Sequence, residues 1–295
     1  MRNASRGPFL EQSGLYMARI RFREPSIIPG FRLTFGFTIF YLSLIVIIPI
    51  VGLYLKTFEL DWPSFVRIVT GPRFLAALKL SFGASLLAAF FNVIIGVLVA
   101  WVIVRYRFFG RRIVDAIIDL PFALPTAVAG IALTALYVPQ GWIGRLFSPF
   151  GITIAYTPVG IWIALVFIGL PFVVRTVQPV LEDFNTEVEE AAATLGASRR
   201  ATIVRVILPA LIPAILTGFS LAFARAVGEY GSVIFIAGNI PRQTEILPLL
   251  IVFRLEERDY PAAAAIAAVM LTVSVAILLF INFVQAWSNR RFGNV

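Results

Sequence analysis

The chain has 295 residues, of which 59% are hydrophobic and 14% charged, and its mean hydropathy is +0.90. Soluble domains carry roughly 25% charged residues, so this composition is typical of a polytopic membrane protein and argues against a soluble domain. The absence of cysteine and histidine excludes disulfide frameworks, Cys/His zinc sites, thiol nucleophiles and histidine bases. The net charge of +9 does not indicate a nucleic-acid partner, because the basic residues stand in short clusters beside apolar runs.

Six apolar runs are long enough to cross a bilayer as helices, which takes about 20 residues each. We therefore predict an all-α membrane domain over residues 33–287. Its spans are predicted at residues 33–55, 80–104, 113–137, 158–180, 208–228 and 262–287. Asp115 and Asp119 interrupt the third run near its start.

The distribution of arginine and lysine predicts the orientation of these spans. Basic residues concentrate before the first span, between the second and third, between the fourth and fifth, and after the sixth. Because basic segments stay in the cytoplasm, we expect a cytoplasmic basic arm at residues 1–32, a cytoplasmic tail at 288–295 and both termini inside. The arm lacks the features of a cleavable signal peptide, so the first span is expected to act as an uncleaved start signal.

A polar stretch, EEAAATLGASRR, lies between the fourth and fifth spans on the predicted cytoplasmic side. Thr186 followed by Glu189 matches a capping box, which predicts that a helix begins directly after Thr186. Val188, Ala192 and Leu195 then share one face at helical spacing. The stretch therefore predicts a short amphipathic helix at the membrane surface.

Gly196 predicts the end of that helix, because glycine adopts the left-handed backbone of the C′ position at least cost. Ser198 can cap a second short helix, which ends near Arg205. Pro209 is then tolerated in the first turn of the fifth span. We predict a helix, a sharp turn and a second helix over about residues 186–206.

The residues Glu190-Ala191-Ala192, Gly196 and Leu208-Pro209, with their spacing, resemble the EAA signature of the membrane subunits of ATP-binding-cassette (ABC) importers. Val206 stands where that family usually has isoleucine, a conservative departure. The stretches VRTVQPVLEDFNTEVEEAAATLGAS, AFARAVGEYGSVIFIAGNIPRQTEILPLLI and LEERDYPAAAAIAAVML resemble the CysT (CysU) family of sulfate and thiosulfate permeases, over nearly the whole chain from the first span. Molybdate permeases are the nearest relatives of that family, so molybdate or tungstate import is the alternative.

The resemblance implies the type I ABC importer permease (MetI-like) fold and a non-catalytic subunit that works by alternating access in the bacterial inner membrane. The chain has no G-x-x-x-x-G-K-[ST] loop, and its two lysines are Lys56 and Lys79, so it cannot cradle ATP itself. The implied partners are a CysA-like ATPase dimer carrying ATP-Mg, a CysW-like second permease forming a heterodimer, a periplasmic or lipid-tethered sulfate-binding protein, and membrane lipid. No cofactor or metal is expected on this chain.

In the resembled family the helix pair docks into a cleft of the ATPase and transmits its closure as a rotation of the fifth span. Glu190 is expected either to contact the ATPase or to pair with Arg199 or Arg200 across the turn. The residues expected to serve this coupling are Glu189, Glu190, Ala191, Ala192, Gly196, Leu208 and Pro209.

Prolines mark the candidate transport pathway, since a proline removes a backbone donor and broken helices tend to line cavities. The alternative is that membrane helices are simply rich in glycine and proline. We expect spans three to five to be interrupted at Pro121, Pro125, Pro171, Pro209 and Pro213.

Arg225 and Glu229 lie one helical turn apart near the outer end of the fifth span. Charges at that depth are costly and often functional. They are expected either to pair with each other or, through the arginine, to meet a passing oxyanion weakly. We include both residues in the candidate gate.

The apolar run at residues 246–253 is too short to cross a bilayer. It predicts an outer interfacial or re-entrant helix, and the resemblance implies that this region closes the external gate. Glu256, Glu257 and Asp259 would then face the binding protein, whereas a plain surface helix is the alternative.

Two other classes of function fit the sequence less well. An intramembrane enzyme would depend on Asp115 and Asp119, which lack a metal-binding partner and are expected to contact the neighbouring arginines. An ion-coupled secondary transporter would show an inverted repeat and coupling-ion ligands at the midplane, and we find neither in the sequence.

Overall fold

The computed structural model describes residues 31–292, and every regular element in that range is helical. Most of the predicted basic arm and the last three residues of the predicted tail lie outside it. One unit comprises residues 31–49, with α1 (Phe31–Leu42), a π-helical turn (Ser43–Ile47) and the start of α2 (Ile48–Thr57). The second unit comprises the rest: α3 (Trp62–Val69), α4 (Pro72–Arg105), α5 (Arg111–Ile118), α6 (Leu120–Ala123), α7 (Thr126–Tyr137), α8 (Gly144–Phe147), α9 (Pro158–Asp183), α10 (Thr186–Thr194), α11 (Arg199–Thr202), a π-helical turn (Ile203–Ile207), α12 (Leu208–Val227), α13 (Val233–Ile236), α14 (Leu247–Glu256) and α15 (Tyr260–Phe292).

Five of the six predicted spans are single helices that are long and apolar enough to cross a membrane. In the described part of the chain these are Leu33–Thr57, Pro72–Arg105, Pro158–Asp183, Arg199–Val227 and Tyr260–Ala286. The prediction of a membrane-spanning helical domain is therefore confirmed for these five. The second helix begins eight residues earlier than predicted, because Pro72 fits its first turn.

The third predicted span is not one helix but is divided, as its prolines predicted. It consists of α5, α6 and the 12-residue α7. Pro121 lies in the first turn of α6, where its missing amide donor is tolerated. Leu124, before Pro125, has an extended backbone with ψ 132°, since a following proline disfavours the α conformation. Two closely spaced prolines thus break this segment.

Pro209 lies in the first turn of α12, as predicted, but no break separates α11 from the fifth span. The chain is helical from Arg199 to Val227, with one π-helical turn at Ile203–Ile207. The ring of a proline clashes with the carbonyl four residues earlier, and the π turn accommodates it by bonding the Leu208 amide to the Ile203 carbonyl. The same arrangement precedes Pro49 in the first unit.

Pro171 and Pro213 also leave their helices continuous, inside α9 and α12. The expected interruption of spans four and five at these positions was therefore wrong. Packed neighbours in a bundle can tolerate an interior proline by satisfying the freed backbone groups. Of the three spans, only the third is divided.

The core of the second unit lies where α4, α9 and α12 pack together. Glycines allow these helices to approach closely. A Cβ added at Gly96 would lie 2.8 Å from Val173, and one added at Gly218 would lie 2.9 Å from the Val173 Cα. In a membrane the hydrophobic effect does not drive helices together, so close van der Waals packing at such small residues stabilises the bundle instead.

Gly130 of α7 provides a test of this packing. A Cβ there would lie 2.4 Å from the backbone oxygen of Ser232, so we expect Gly130→Ala to destabilise the protein by about 1–3 kcal/mol. Gly83 of α4 has nothing within 4 Å of its Cβ position, so Gly83→Ala is the matched control and is expected to be neutral or stabilising. Thermal unfolding of the detergent-solubilised protein measures both, and equal midpoints would refute the close contact at Gly130.

Candidate functional site: coupling segment and Glu229 turn

In the coupling segment, defined here as residues 186–202, the first helix begins at Thr186, one residue earlier than predicted. The Asn185 side chain accepts a hydrogen bond from the Glu187 amide at 2.9 Å and donates one to the Glu187 carboxylate at 3.1 Å. Asn185 is therefore the N-cap of α10. The predicted capping box of Thr186 and Glu189 was wrong, because asparagine satisfies the first amides and Glu189 points to another partner.

Gly196 ends α10 in the predicted way. Its φ is +83°, a backbone conformation that costs glycine little. The Gly196 amide bonds to the Ala193 carbonyl and the Ala197 amide to the Ala192 carbonyl, each at 3.0 Å. These two bonds form a complete Schellman motif, so the position of Gly196 at C′ is confirmed.

The second helix of the coupling segment is capped by Ser198 as predicted, but it does not end where predicted. The Ser198 hydroxyl accepts the Ala201 amide at 3.3 Å, which caps α11. Instead of ending at the membrane surface, α11 continues through the π turn into α12. Ile207 and Leu211 are buried on either side of the exposed Leu208 and half-buried Pro209, which anchors this junction in the bundle.

The tip of the coupling segment is open to its surroundings. Leu195, on the predicted apolar face of α10, is 88% exposed. Glu190 and Ala191 are exposed as well, and Ala192 is half-buried. Among the described residues no ion pair joins Glu190 to Arg199 or Arg200. Small side chains and one unpaired carboxylate therefore form an accessible surface at this tip.

Glu189 faces inward and pairs with Arg105, the last residue of α4. The Arg105 guanidinium also lies 5.4 Å from the centre of the Trp101 ring, within the range of a cation–π contact. Glu189 was predicted to be one of the coupling residues, but no sequence pattern indicated its pairing with Arg105. The structure thus fastens α10 to the end of α4.

The Glu229 turn, residues 225–232, lies at the far end of α12 from the coupling segment. Glu229 is 2% exposed and pairs with Arg225. Its other oxygen accepts the Ser232 amide at 2.8 Å and the Ser232 hydroxyl at 2.9 Å. Of the two expectations for Arg225, the structure shows the mutual pair.

The start of α7 packs directly on the Glu229 turn. A Cβ at Gly231 would lie 2.2 Å from the Thr126 hydroxyl, so Pro125, which precedes Thr126, comes close to this turn. Pro121 lies farther back in α6, and Pro171 is buried within α9. The candidate gate residues therefore divide into a contiguous group at the turn and two separate prolines, and a pathway role for each remains a prediction.

Asp115 and Asp119 share one arginine, Arg175 of α9. Its guanidinium lies 2.8 Å from Asp115 and 2.6 Å from Asp119, and it also bonds Gln178 at 2.7 Å. The expected contact with the basic residues around 105–112 was wrong. An arginine inside an apolar span is the signal that could have identified this partner, because such a charge needs a counter-ion.

The segment before α14 is held by a second ion pair that the sequence analysis missed. Glu245 is 3% exposed and binds Arg73 through two hydrogen bonds of 2.7 and 2.8 Å. Leu247 and Leu250 of α14 are buried. One face of α14 thus packs against α4 and α15, and its role as an external gate stays a prediction.

Among the described residues, no group of three His, Cys, Asp or Glu side chains is placed to hold a metal ion. The carboxylates of Asp115, Asp119, Glu189, Glu229 and Glu245 are instead paired with arginines.

Comparison of the chain with known proteins shows the family to which it belongs. Residues 92–294 match the family described as binding-protein-dependent transport system inner membrane component. The chain is 52% identical over 257 residues to the sulfate transport system permease protein CysT of Synechocystis sp., covering 87% of this chain and 90% of that one. It is 46% identical over 265 residues to the protein of the same name from Escherichia coli, covering 90% and 96%.

The fold agrees with that of a solved transporter. The structure of a bacterial alginate ABC transporter, in complex with its alginate pentasaccharide-bound periplasmic protein, superposes with a TM-score of 0.71 at 21% identity, covering 90% of this chain and 96% of that one. The expected ABC importer permease fold is thus confirmed. The chain is a non-catalytic, multi-pass membrane protein and belongs to the family of binding-protein-dependent transport system inner membrane components, in its CysT branch.

Proposed function

We propose that this chain is the membrane subunit of an ABC importer that carries sulfate or thiosulfate across the bacterial inner membrane by alternating access. The cargo is inferred from relatives named as sulfate permeases at 46–52% identity. The mechanism rests on one observation, the open tip of the coupling segment, where a Schellman turn presents Leu195 and the unpaired Glu190. A partner ATPase is the surface that such a tip would fit.

The proposed assembly contains two membrane chains, two ATPase subunits and an external binding protein. The second membrane chain is CysW-like and the ATPase is CysA-like, with ATP-Mg bound on the ATPase. Arg199 and Arg200, which the coupling segment exposes, lie at the end of the bundle that we place in the cytoplasm, because basic segments stay inside. Both termini are placed there as well.

The coupling segment transmits ATPase closure to the fifth span. Because the chain stays helical from Arg199 to Val227, through the π turn at Ile203–Ile207 and past Pro209, a push on α11 is passed directly to α12. The far end of this helix carries Arg225 and leads into the Glu229 turn, on which α7 packs. Rotation of α12 would therefore displace the candidate gate.

Selection of the cargo is assigned to the binding protein. Arg225 is already neutralised by Glu229, which leaves this position only a weak attraction for a dianion. Weak binding suits a pathway that must release what it admits. A tight sulfate cage on this chain is not part of the proposal.

Uptake of radiolabelled sulfate, thiosulfate and molybdate into vesicles with all partners present tests the cargo. We expect sulfate or thiosulfate to accumulate and molybdate to compete poorly. Preferential import of molybdate would overturn the cargo assignment. Copurification of only one kind of membrane chain would overturn the heterodimer.

A further inference from the structure

The helix α4 joins two regions that the proposed function treats separately. It runs unbroken for 34 residues, or about 51 Å at 1.5 Å per residue. Beyond Pro72 it contains no proline, whereas α9 and α12 each contain at least one in their interior. Its backbone ladder is therefore free of the commonest cause of a kink.

At one end, α4 is fastened to the coupling segment. Arg105 and Glu189 pair with side chains that are 18% and 28% exposed, so the contact is partly shielded from water and stronger than a surface pair. The nearby Trp101 ring restricts the arginine further. Displacement of α10 therefore acts on the end of α4 directly, independently of α11 and α12.

At the other end, α4 is fastened to the segment that leads into α14. Arg73 forms a bidentate ion pair with the buried Glu245, donating hydrogen bonds from Nε and Nη2 to the two carboxylate oxygens. Its guanidinium also lies 4.6 Å from the centre of the Phe253 ring. The Ser81 hydroxyl accepts the Leu247 amide at 2.8 Å. Both the approach to α14 and its first residue are thus tied to the first three turns of α4.

We propose that α4 is a second transmission element, which carries movement of the coupling segment to the α14 segment at the opposite end of the bundle. Arg105–Glu189 and Arg73–Glu245 are its two joints, and all four side chains are positioning residues. The proposal rests on the proposed function, because it requires an ATPase that moves α10. It adds a route to α14 that does not pass through the fifth span.

The inner joint is tested by exchanging its charges in the reconstituted transporter with ATPase and binding protein present. Arg105→Glu and Glu189→Arg each place two like charges together, and we expect the amount of sulfate imported per ATP hydrolysed to fall about tenfold. The double exchange restores the ion pair and should return the ratio to within about twofold of the unchanged protein. A merely structural role would lower the yield of assembled transporter and leave the ratio unchanged in the transporters that assemble.

Lys56 and Glu59 provide the matched control. They form a lysine–glutamate ion pair with side chains 44% and 52% exposed, and Lys56→Glu is expected to leave the ratio unchanged. If a single exchange at the inner joint prevents assembly, Glu189→Gln keeps the size of the side chain and should lower the ratio about threefold. An unchanged ratio in assembled Arg105→Glu or Glu189→Gln transporters would overturn the proposal.

The outer joint is tested by Arg73→Lys, which keeps the positive charge but cannot form the bidentate contact with Glu245. We expect an intermediate fall in the same ratio, about threefold, and no change would count against this joint. These outcomes are separable from failure of the proposed function. A transporter that needs ATP for uptake but ignores both joints refutes only the α4 route, whereas uptake without the ATPase refutes the proposed function itself.

Discussion

Gly196→Val is expected to abolish sulfate uptake while leaving the membrane bundle folded. Gly196 has a φ of +83° and nothing within 4 Å of its Cβ position, so the added Cβ meets no neighbour and the substitution acts mainly through the backbone. A left-handed conformation costs an ordinary residue roughly 1–2 kcal/mol, and a β-branched residue is a stronger outlier there. The Schellman turn would open, and Leu195 and Glu190 would lose their defined positions at the tip.

Two variants separate this effect from general strain. Gly151 has a φ of +70° and equally open surroundings, so Gly151→Val imposes the same cost away from the coupling segment and should preserve uptake. Gly196→Asn should retain much of the activity, since asparagine visits the left-handed region. Uptake and ATP hydrolysis in vesicles measure all three, and normal coupling in Gly196→Val would refute the transmission of force through this turn.

Glu229→Ala is expected to produce the largest loss of stability. The change leaves Arg225 without its counter-ion and the buried amide and hydroxyl of Ser232 without an acceptor. Leaving the two buried Ser232 donors unpaired costs about 1–3 kcal/mol each, and the lost ion pair with the partly exposed Arg225 adds to that cost. The melting temperature of the detergent-solubilised protein should therefore fall strongly, because α7 packs on this turn.

Glu229→Gln and Glu257→Ala are the controls for that loss. Glutamine keeps an oxygen for Ser232 and removes only the charge, so a smaller loss is expected. Glu257 pairs with Arg254 with its side chain 43% exposed, and its removal should cost about 0–1 kcal/mol. A Glu229→Ala protein as stable as Glu257→Ala would show that the turn does not depend on the buried carboxylate.

Features encoded within one stretch of chain could be predicted from the sequence. Five spans follow from apolar length alone, and the C′ position of Gly196 and the cap at Ser198 follow from local backbone preferences. The cap of α10 was misplaced by one residue because Asn185 and Thr186 are both competent N-caps. Only the tertiary contact of Glu189 with Arg105 shows that this carboxylate is not available to a capping box.

Features that depend on which helices meet could not be predicted. Arg73, Arg105 and Arg175 each find carboxylates 56 to 172 residues away in the chain, and no local pattern indicates such pairs. The opposite outcomes at Pro125 and Pro171 have the same origin. One proline follows an extended residue between short helices, whereas the other is buried in a helix whose neighbours keep it continuous.

The most direct test of the account is the accumulation of radiolabelled sulfate in vesicles that contain this chain, its partner permease and the binding protein. The measurement is made with and without the ATPase subunits and ATP. We predict uphill accumulation only when both ATPase and ATP are present. Accumulation against a gradient by the membrane chains alone would contradict the claim that this chain is driven through its coupling segment.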